Sequence, residues 1–149
     1  MRRSTTNHRQ WLGRAGEDQA ARFLETRGYR IVARNVRADR VEIDLIVRRA
    51  ELLVFVEVKS RRASRHGYAA EAVDERKQRR LRRGAHAWLA TNPTEARRTR
   101  RRRFDVVTCL FDPRLGAQPE STIETAGAQN ETTAPVTERW SIEHWEAAF

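Results

Sequence analysis

Between Arg9 and Arg27 the apolar positions recur three or four residues apart, at Leu12, Gly16, Ala20, Phe23 and Leu24, which is the stripe of an amphipathic helix. Asn7 stands where an N-cap is wanted and Gly28 at the C-terminal stop. Glu17, seven positions before Leu24, falls on the flank of the stripe and so near the core edge. From Tyr29 the period shortens. Tyr29 to Val36, the stretch 41–47 and the stretch 52–60 read as strands, with Arg48-Arg49-Ala50-Glu51 short enough for a hairpin loop. Three antiparallel strands in a meander are the simplest arrangement.

After an arginine-rich loop carrying Gly67, a second helix is predicted from Ala72 or Asp74 to Thr91, stopped by Asn92-Pro93. Leu81, Ala85, Trp88 and Leu89 form its buried face, and Lys77, four residues before Leu81, shares that face in the first turns. The run Arg97 to Arg103 leads into a strand from Phe104 to Phe111. From Asp112 to Glu138 large apolar residues almost vanish, the composition of a flexible insertion. Alternation returns at Trp140 to Trp145, so a last strand is expected over about 139–146.

Charge changes this picture where it interrupts the apolar runs. Asp44 lies inside Val41 to Val47, and Glu57 and Lys59 lie at the end of Leu52 to Lys59. A buried strand has no structural need for unpaired charge, which costs several kcal/mol or more. Lys59 and Lys77 are the only lysines among 30 basic residues, so each marks a position where arginine may not serve.

The chain of 149 residues is long enough for one domain with a real core. A net charge of +10 attracts polyanions, nucleic acid first and an anionic membrane surface second. Membrane attachment is disfavoured, since no apolar run approaches the roughly 20 residues that span a bilayer. Met1 to His8 is basic without an apolar stretch behind it, which does not read as a secretory signal, and a cytoplasmic protein is expected. The single Cys109 excludes an internal disulfide, and His8, His66, His86 and His144 have no zinc-ligand spacing. Trp11, Trp88, Trp140 and Trp145 could stack on bases, though core packing suits three of them better.

Residues two apart on a strand share a face about 7 Å apart, so Glu57 and Lys59 project side by side. If the strands of Asp44 and Glu57 are neighbours, two carboxylates and an ammonium meet. That trio suits metal-assisted phosphodiester cleavage: carboxylates hold Mg²⁺ or Mn²⁺, and the lysine orients water or holds phosphate oxygens. An ion pair on a half-exposed sheet face would place the same residues together without chemistry. Arg61, Arg62 and Arg65 follow Lys59 and are well placed to grip a nucleic-acid backbone; Arg76, Arg79, Arg80, Arg82 and Arg83 and the run Arg97 to Arg103 invite the same reading. Asp105, among valines, is explained as well by a buried pair with arginine.

The ordered series Gly16-Glu17 with Ala20, Gly28-Tyr29, Arg34-Asn35, Glu42-Ile43-Asp44-Leu45-Ile46, Leu53 to Lys59, Lys77 and Arg103-Phe104-Asp105-Val106-Val107 resembles the YraN family of predicted endonucleases. That family lies within the PD-(D/E)xK nuclease superfamily. The resemblance covers about residues 13–110, and His144 with Ala147-Ala148-Phe149 is similar to the family's usual end. It implies an α/β, restriction-endonuclease-like three-layer core, a mixed central sheet flanked by helices as in archaeal Holliday-junction resolvases. It further implies Glu17, Asp44 and Glu57 at the metal, Lys59 as catalytic and Lys77 as an accessory to catalysis. By analogy with junction resolvases it implies a homodimer. One departure stands out: the glycine usual before Glu-Ile-Asp is Val41 here, which would lose a bulge or a close phosphate approach. The function expected is a metal-dependent endonuclease acting on DNA, branched or damaged DNA included. A non-catalytic nucleic-acid-binding module of nuclease fold and an RNA-processing nuclease are the alternatives.

Overall fold

The computed structural model describes residues 4–63, 73–115 and 139–149. In chain order these form α1 (Ser4–Thr26), β1 (Arg30–Ala38), β2 (Val41–Arg49), β3 (Leu52–Arg62), α2 (Glu75–Thr91), a short α3 (Pro93–Arg97), β4 (Arg101–Phe111) and β5 (Trp140–Trp145). Five strands make one sheet in the order β1-β2-β3-β4-β5. Only β3 and β4 run parallel, in continuous register from Leu52↔Arg101 to Arg62↔Phe111. The expected meander of β1 to β3 and the closing strand β5 are both present.

Helices cover both faces, which gives the three layers. Ala20, Ala21 and Leu24 of α1 pack on Leu45, Val47, Val54, Val56 and Val107. Leu81, Ala85, Trp88 and Leu89 of α2 pack on Val41, Ile43, Ile46, Leu53 and Phe55. Leu52 to Glu57 is buried without a break, as a central strand covered on both sides must be.

Local chemistry explains the boundaries. Gly28 leaves α1 at φ +83°, the left-handed stop that glycine adopts without a Cβ clash. The helix begins at Ser4, so Asn7 lies one turn inside it instead of capping it. Asp74 caps α2, its carboxylate accepting from the Lys77 backbone N–H at 2.8 Å. Asn92 closes it by donating from Nδ2 to the Trp88 carbonyl, and Pro93 opens α3 at a position where no N–H is needed. Asp39 and Arg40 both take positive φ between β1 and β2, the two-residue turn whose twist matches paired strands.

Three arginine assignments change. Arg48 and Arg49 belong to β2, so the hairpin loop is only Ala50 and Glu51. Arg48 is buried; its guanidinium donates to Glu95 Oε2, the carbonyls of Ala50, Glu95 and Arg98, and Thr99 Oγ1. It thereby anchors α3, an element the sequence pattern did not show. The run Arg97 to Arg103, a candidate grip for a nucleic-acid backbone, is not one uniform basic stretch: it spans the end of α3 and the start of β4, and Arg103 turns inward to the buried Asp105 at 2.8 Å, the arginine pair expected for that residue. Trp88 and Trp140 are core residues, whereas Trp11 and Trp145 are each 47% exposed. The loop with Gly67 and Arg65, and residues 116–138 of the expected insertion, lie outside the described residues.

Two glycines set how closely the helices approach the sheet. A Cβ on Gly84 would lie 2.9 Å from Val41 Cβ, so Val41 occupies the space that the helix glycine leaves open. A Cβ on Gly16 would lie 1.8 Å from Ser60 Oγ and 2.8 Å from its Cβ. Gly16→Ala is therefore expected to destabilise the protein by about 1–2 kcal/mol despite alanine's better helix propensity, because overpacking outweighs it. Ser60→Gly in the same chain should recover most of the loss in urea denaturation. A Gly16→Ala protein as stable as the parent would show that α1 is not seated against Ser60.

Candidate active site at the strand fork

The site begins where the sheet parts. Pairing of β2 with β3 runs from Arg49↔Leu52 to Leu45↔Val56 and stops. Beyond it β3 follows β4 while β2 continues with β1. The β1–β2 ladder also skips one residue on each strand at this level: Arg34 pairs with Leu45 and Val36 with Ile43, leaving Asn35 and Asp44 between them. Asn35 sits at φ +48°, a conformation asparagine tolerates better than most residues. The side chains swap faces here, Leu45 packing under α1 and Ile43 under α2.

Asp44 fills the fork. Its Oδ2 accepts from the Val58 backbone N–H at 2.7 Å, replacing a ladder bond that the parting strands can no longer make. Burial pushes its carboxyl up to about 7, with repulsion from Glu57 and then Glu17 adding to the rise, while the Val58 N–H and Lys77 oppose it. Glu57 is buried at the end of the unbroken run of β3. The Lys77 ammonium donates to Glu57 Oε1 from the first turn of α2. A cation there faces the positive end of the helix dipole, which is unfavourable by a few tenths of a kcal/mol or more, so helix stability is no reason for Lys77. Lys59, half-buried, follows Glu57 on the same face of β3.

Glu17 reaches the fork from the α1 side. Its carboxyl is raised, first by burial and then by Glu42 and Asp18, against a lowering hydrogen bond from the Asn35 side chain. The fold thus brings Asp44, Glu57 and Lys77 together from three elements, with Glu17 close enough to Asp44 to raise it and Lys59 on the Glu57 face of β3, but the three carboxylates expected at one metal do not form a single ligand group among the described residues. Arg61 and Arg62 end β3 exposed, lining a groove with Arg9, Leu12, Gly13 and Glu17. Arg65 lies outside the described residues. On the outer side of α2, Arg76, Arg79, Arg80 and Arg83 line a second groove, in which Arg79 pairs with Glu75 at 3.5 Å and Arg83 with Asp39 at 2.6 Å. Asp105 is occupied elsewhere, between Arg103, His144 Nε2 at 2.7 Å and the Ala147 N–H at 3.0 Å.

Sequence reasoning assigned no role to Asn35, Arg9 or Gly13. Asn35 had a signal, since an asparagine in the middle of an apolar strand pattern marks a break. The other two had none, because a groove between α1 and β3 exists only after packing.

Mg²⁺ takes oxygen ligands, binds through one or two carboxylates and keeps several waters. Asp44 and Glu57 supply two hard oxygen donors already crowded enough to repel each other. Among the described residues no three Asp, Glu, His or Cys side chains form a group that could hold a metal ion, so a closed zinc cage does not fit, and a Mg²⁺ or Mn²⁺ ion would rest on the Asp44 and Glu57 pair with water for its remaining ligands. No described helix is long and apolar enough to cross a membrane.

Comparison with known proteins covers this region of the chain. A UPF0102 protein of Symbiobacterium thermophilum is 53% identical over 96 residues, 64% of this chain and 79% of the relative. One of Frankia casuarinae is 50% identical over the same shares, and one of Rhodococcus jostii 45% identical over 117 residues, 78% of this chain and 93% of the relative. The model of the uncharacterised protein family UPF0102 matches residues 16–109, from Gly16 at the Ser60 contact to Cys109 on β4, and so takes in Glu17, Asp44, Glu57, Lys59 and Lys77. By that match, and by the identity of these relatives, the chain belongs to the uncharacterised protein family UPF0102.

Proposed function

We propose that this protein is a cytoplasmic, Mg²⁺- or Mn²⁺-dependent endonuclease that hydrolyses phosphodiester bonds in DNA at the β2–β3 fork. The observation that carries the reading is the convergence of Asp44 and Glu57 in the parted sheet, with Lys77 lying on Glu57. Mutual repulsion of Asp44 and Glu57 costs the fold stability beyond what the Val58 N–H returns, and a carboxyl perturbed by burial and a like charge in a cleft marks a functional site. Resemblance to the PD-(D/E)xK nucleases supports the same residues.

In this reading Asp44 and Glu57 hold the cation, and Glu17 stands behind them with Asn35 fixing its carboxylate. When bound, the cation supplies neutralisation of charge on the scissile phosphate and makes water more acidic. Lys59 orients the attacking water or receives its proton, tasks for which a lysine suits better than an arginine. Lys77 leaves Glu57 for a phosphate oxygen once substrate arrives, which keeps the resting site electrically closed and the loaded site balanced. Arg61, Arg62 and Arg65 grip the backbone beside the site. A homodimer that cuts paired strands is the assembly expected from junction resolvases.

Linear, flapped and four-way-junction DNA, incubated with Mg²⁺, Mn²⁺ or EDTA, test the reading. The parent protein is expected to cleave at least one of them only with metal, and Glu57→Ala to lose more than about a hundredfold of that activity. Absence of any metal-dependent cleavage that separates the two proteins would sink it. Salt-sensitive binding surviving in Glu57→Ala would then assign the fold to a binding module.

A further inference from the structure

We infer that the groove between α1 and the end of β3 receives one unpaired nucleotide of the substrate, so that the protein acts on DNA containing unpaired bases in preference to intact duplex. The inference rests on the nuclease reading for the word substrate, but on separate observations for the groove. Arg9, Leu12 and Gly13 of α1 face Val58, Arg61 and Arg62 of β3 across a space of about 540 Å³. Glu17 lines the same space, and Val58 is the residue whose N–H holds Asp44. Groove and fork therefore share Glu17 and Val58.

Its chemistry is divided. Three guanidinium groups share the lining with Leu12, Gly13 and Val58, and with Ser60 and the Glu17 carboxylate. A phosphate suits the guanidinium groups and the flat face of a base suits Leu12, Gly13 and Val58, the combination by which single strands are held without reading sequence. The volume falls in the range that encloses one small ligand. Paired bases stay inside their stack and cannot enter such a space.

Gly13 is the independent sign. Glycine weakens a helix interior relative to alanine, so a glycine in the middle of α1 wants a reason. Gly16, one turn on, has one in Ser60; a Cβ on Gly13 would meet nothing within 4 Å among the described residues. The packing of the described residues does not require Gly13, whereas close approach of a ligand to the helix backbone does. Both Arg9 and Gly13 lie ahead of the segment matched to the family, 16–109.

Fluorescence anisotropy with the full chain in EDTA tests this, using labelled oligonucleotides of equal length: a single strand, a duplex, and a duplex with one unpaired nucleotide. The single strand and the bulged duplex are expected to bind at least about tenfold tighter than the paired duplex. Gly13→Phe, which fills the groove, is expected to weaken single-strand binding about tenfold, with thermal melting confirming a folded chain. Arg9→Ala with Arg62→Ala, both on exposed positions, should lower the slope of log K against log salt by about 1.4, two single-strand phosphate contacts at about 0.7 each. Equal affinity of the parent protein for single strand and duplex, or an undiminished preference in folded Gly13→Phe, or an unchanged salt slope in the double variant, would overturn the inference. Preference without cleavage would defeat the nuclease reading and leave the groove standing; metal-dependent cleavage without preference would do the reverse.

Discussion

Replacing Asp44 with asparagine is expected to make the protein more stable at pH 8 and inactive. Burial, with Glu57 beside it, raises the Asp44 carboxyl from 3.8 to about 7 in the folded chain. In the unfolded chain the group releases its proton near its ordinary value. Between about pH 4 and pH 7 the unfolded state has therefore lost a proton that the folded state keeps, so raising the pH draws the equilibrium toward unfolding. This contribution to stability is full below the unfolded value, falls through that window and is lost above about 7. Each pH unit of difference between the two states corresponds to about 1.4 kcal/mol. Asparagine keeps an oxygen to accept from the Val58 N–H and carries no charge to bury. The full difference sets a ceiling of about 4 kcal/mol at pH 8; because a neutral amide accepts more weakly than a carboxylate from the Val58 N–H, a net gain of about 2 kcal/mol is expected, or roughly 5 °C in melting temperature for a chain of this size. Below about pH 4 parent and variant should melt close together, since the group is then protonated in the folded and the unfolded chain alike. A difference that is the same there and at pH 8 would show that Asp44 is not held protonated by the fold. In the proposed nuclease reading the same substitution removes a charged ligand of the cation, and cleavage is expected to fall by more than about a hundredfold. Stability and activity moving in opposite directions is the signature of a group retained for chemistry.

Asp105→Ala should do the opposite of Asp44→Asn, costing about 3–5 kcal/mol in urea denaturation. Asp105 is fully buried, and burial alone would raise its carboxyl. Hydrogen bonds from His144, Arg103 and the Ala147 N–H overcome that and hold it below its ordinary value. A group depressed in this way contributes stability above the ordinary carboxyl range and loses it as pH falls through the folded value. Removing it strands three donors at once: the Arg103 guanidinium, His144 and the Ala147 N–H. Arg103 also holds Tyr29 Oη at 2.7 Å and Glu146 at 3.1 Å, so the end of α1, β4 and the C-terminal turn are tied through one ion pair. Arg103→Met combined with Asp105→Leu, which removes both charges, should lie well above Asp105→Ala in stability, because no charge is left buried alone. An Asp105→Ala protein within 1 kcal/mol of the parent would mean that the network is dispensable.

These two aspartates looked alike in the sequence, each set among valines and isoleucines. The difference lies in what the fold brings to them. Asp105 meets an arginine two residues earlier on its own strand, a pairing that strand periodicity makes available. Asp44 meets another carboxylate, a distant glutamate and a backbone N–H, none of which is fixed by local spacing. Glu57 and Lys59 on one face of β3, and Lys77 on the side of α2 that reaches Glu57, were legible because the periods of strand and helix decide which side a residue faces, although Lys77 itself stays exposed and is not part of the buried stripe. A buried arginine partner for Asp105 was legible too, and Arg103 is that partner. Arg48 was not legible, since hydrophobic patterning reads an arginine as solvated, and its burial depends on Glu95, supplied by the chain that crosses from β3 to β4.

The sequence by itself determined the elements other than α3, the faces that pack, the side of α2 and of β3 on which the two lysines lie, and the family. Periodicity, caps and stop signals act over a few residues and are written locally. Only the tertiary structure decided where β2 leaves β3, how near Gly16 brings α1 to Ser60, and that the opened fork shares Glu17 and Val58 with a basic groove lined by Gly13. Those features arise from register between strands and from close approach of backbones, and they depend on residues far apart in the chain meeting in one place.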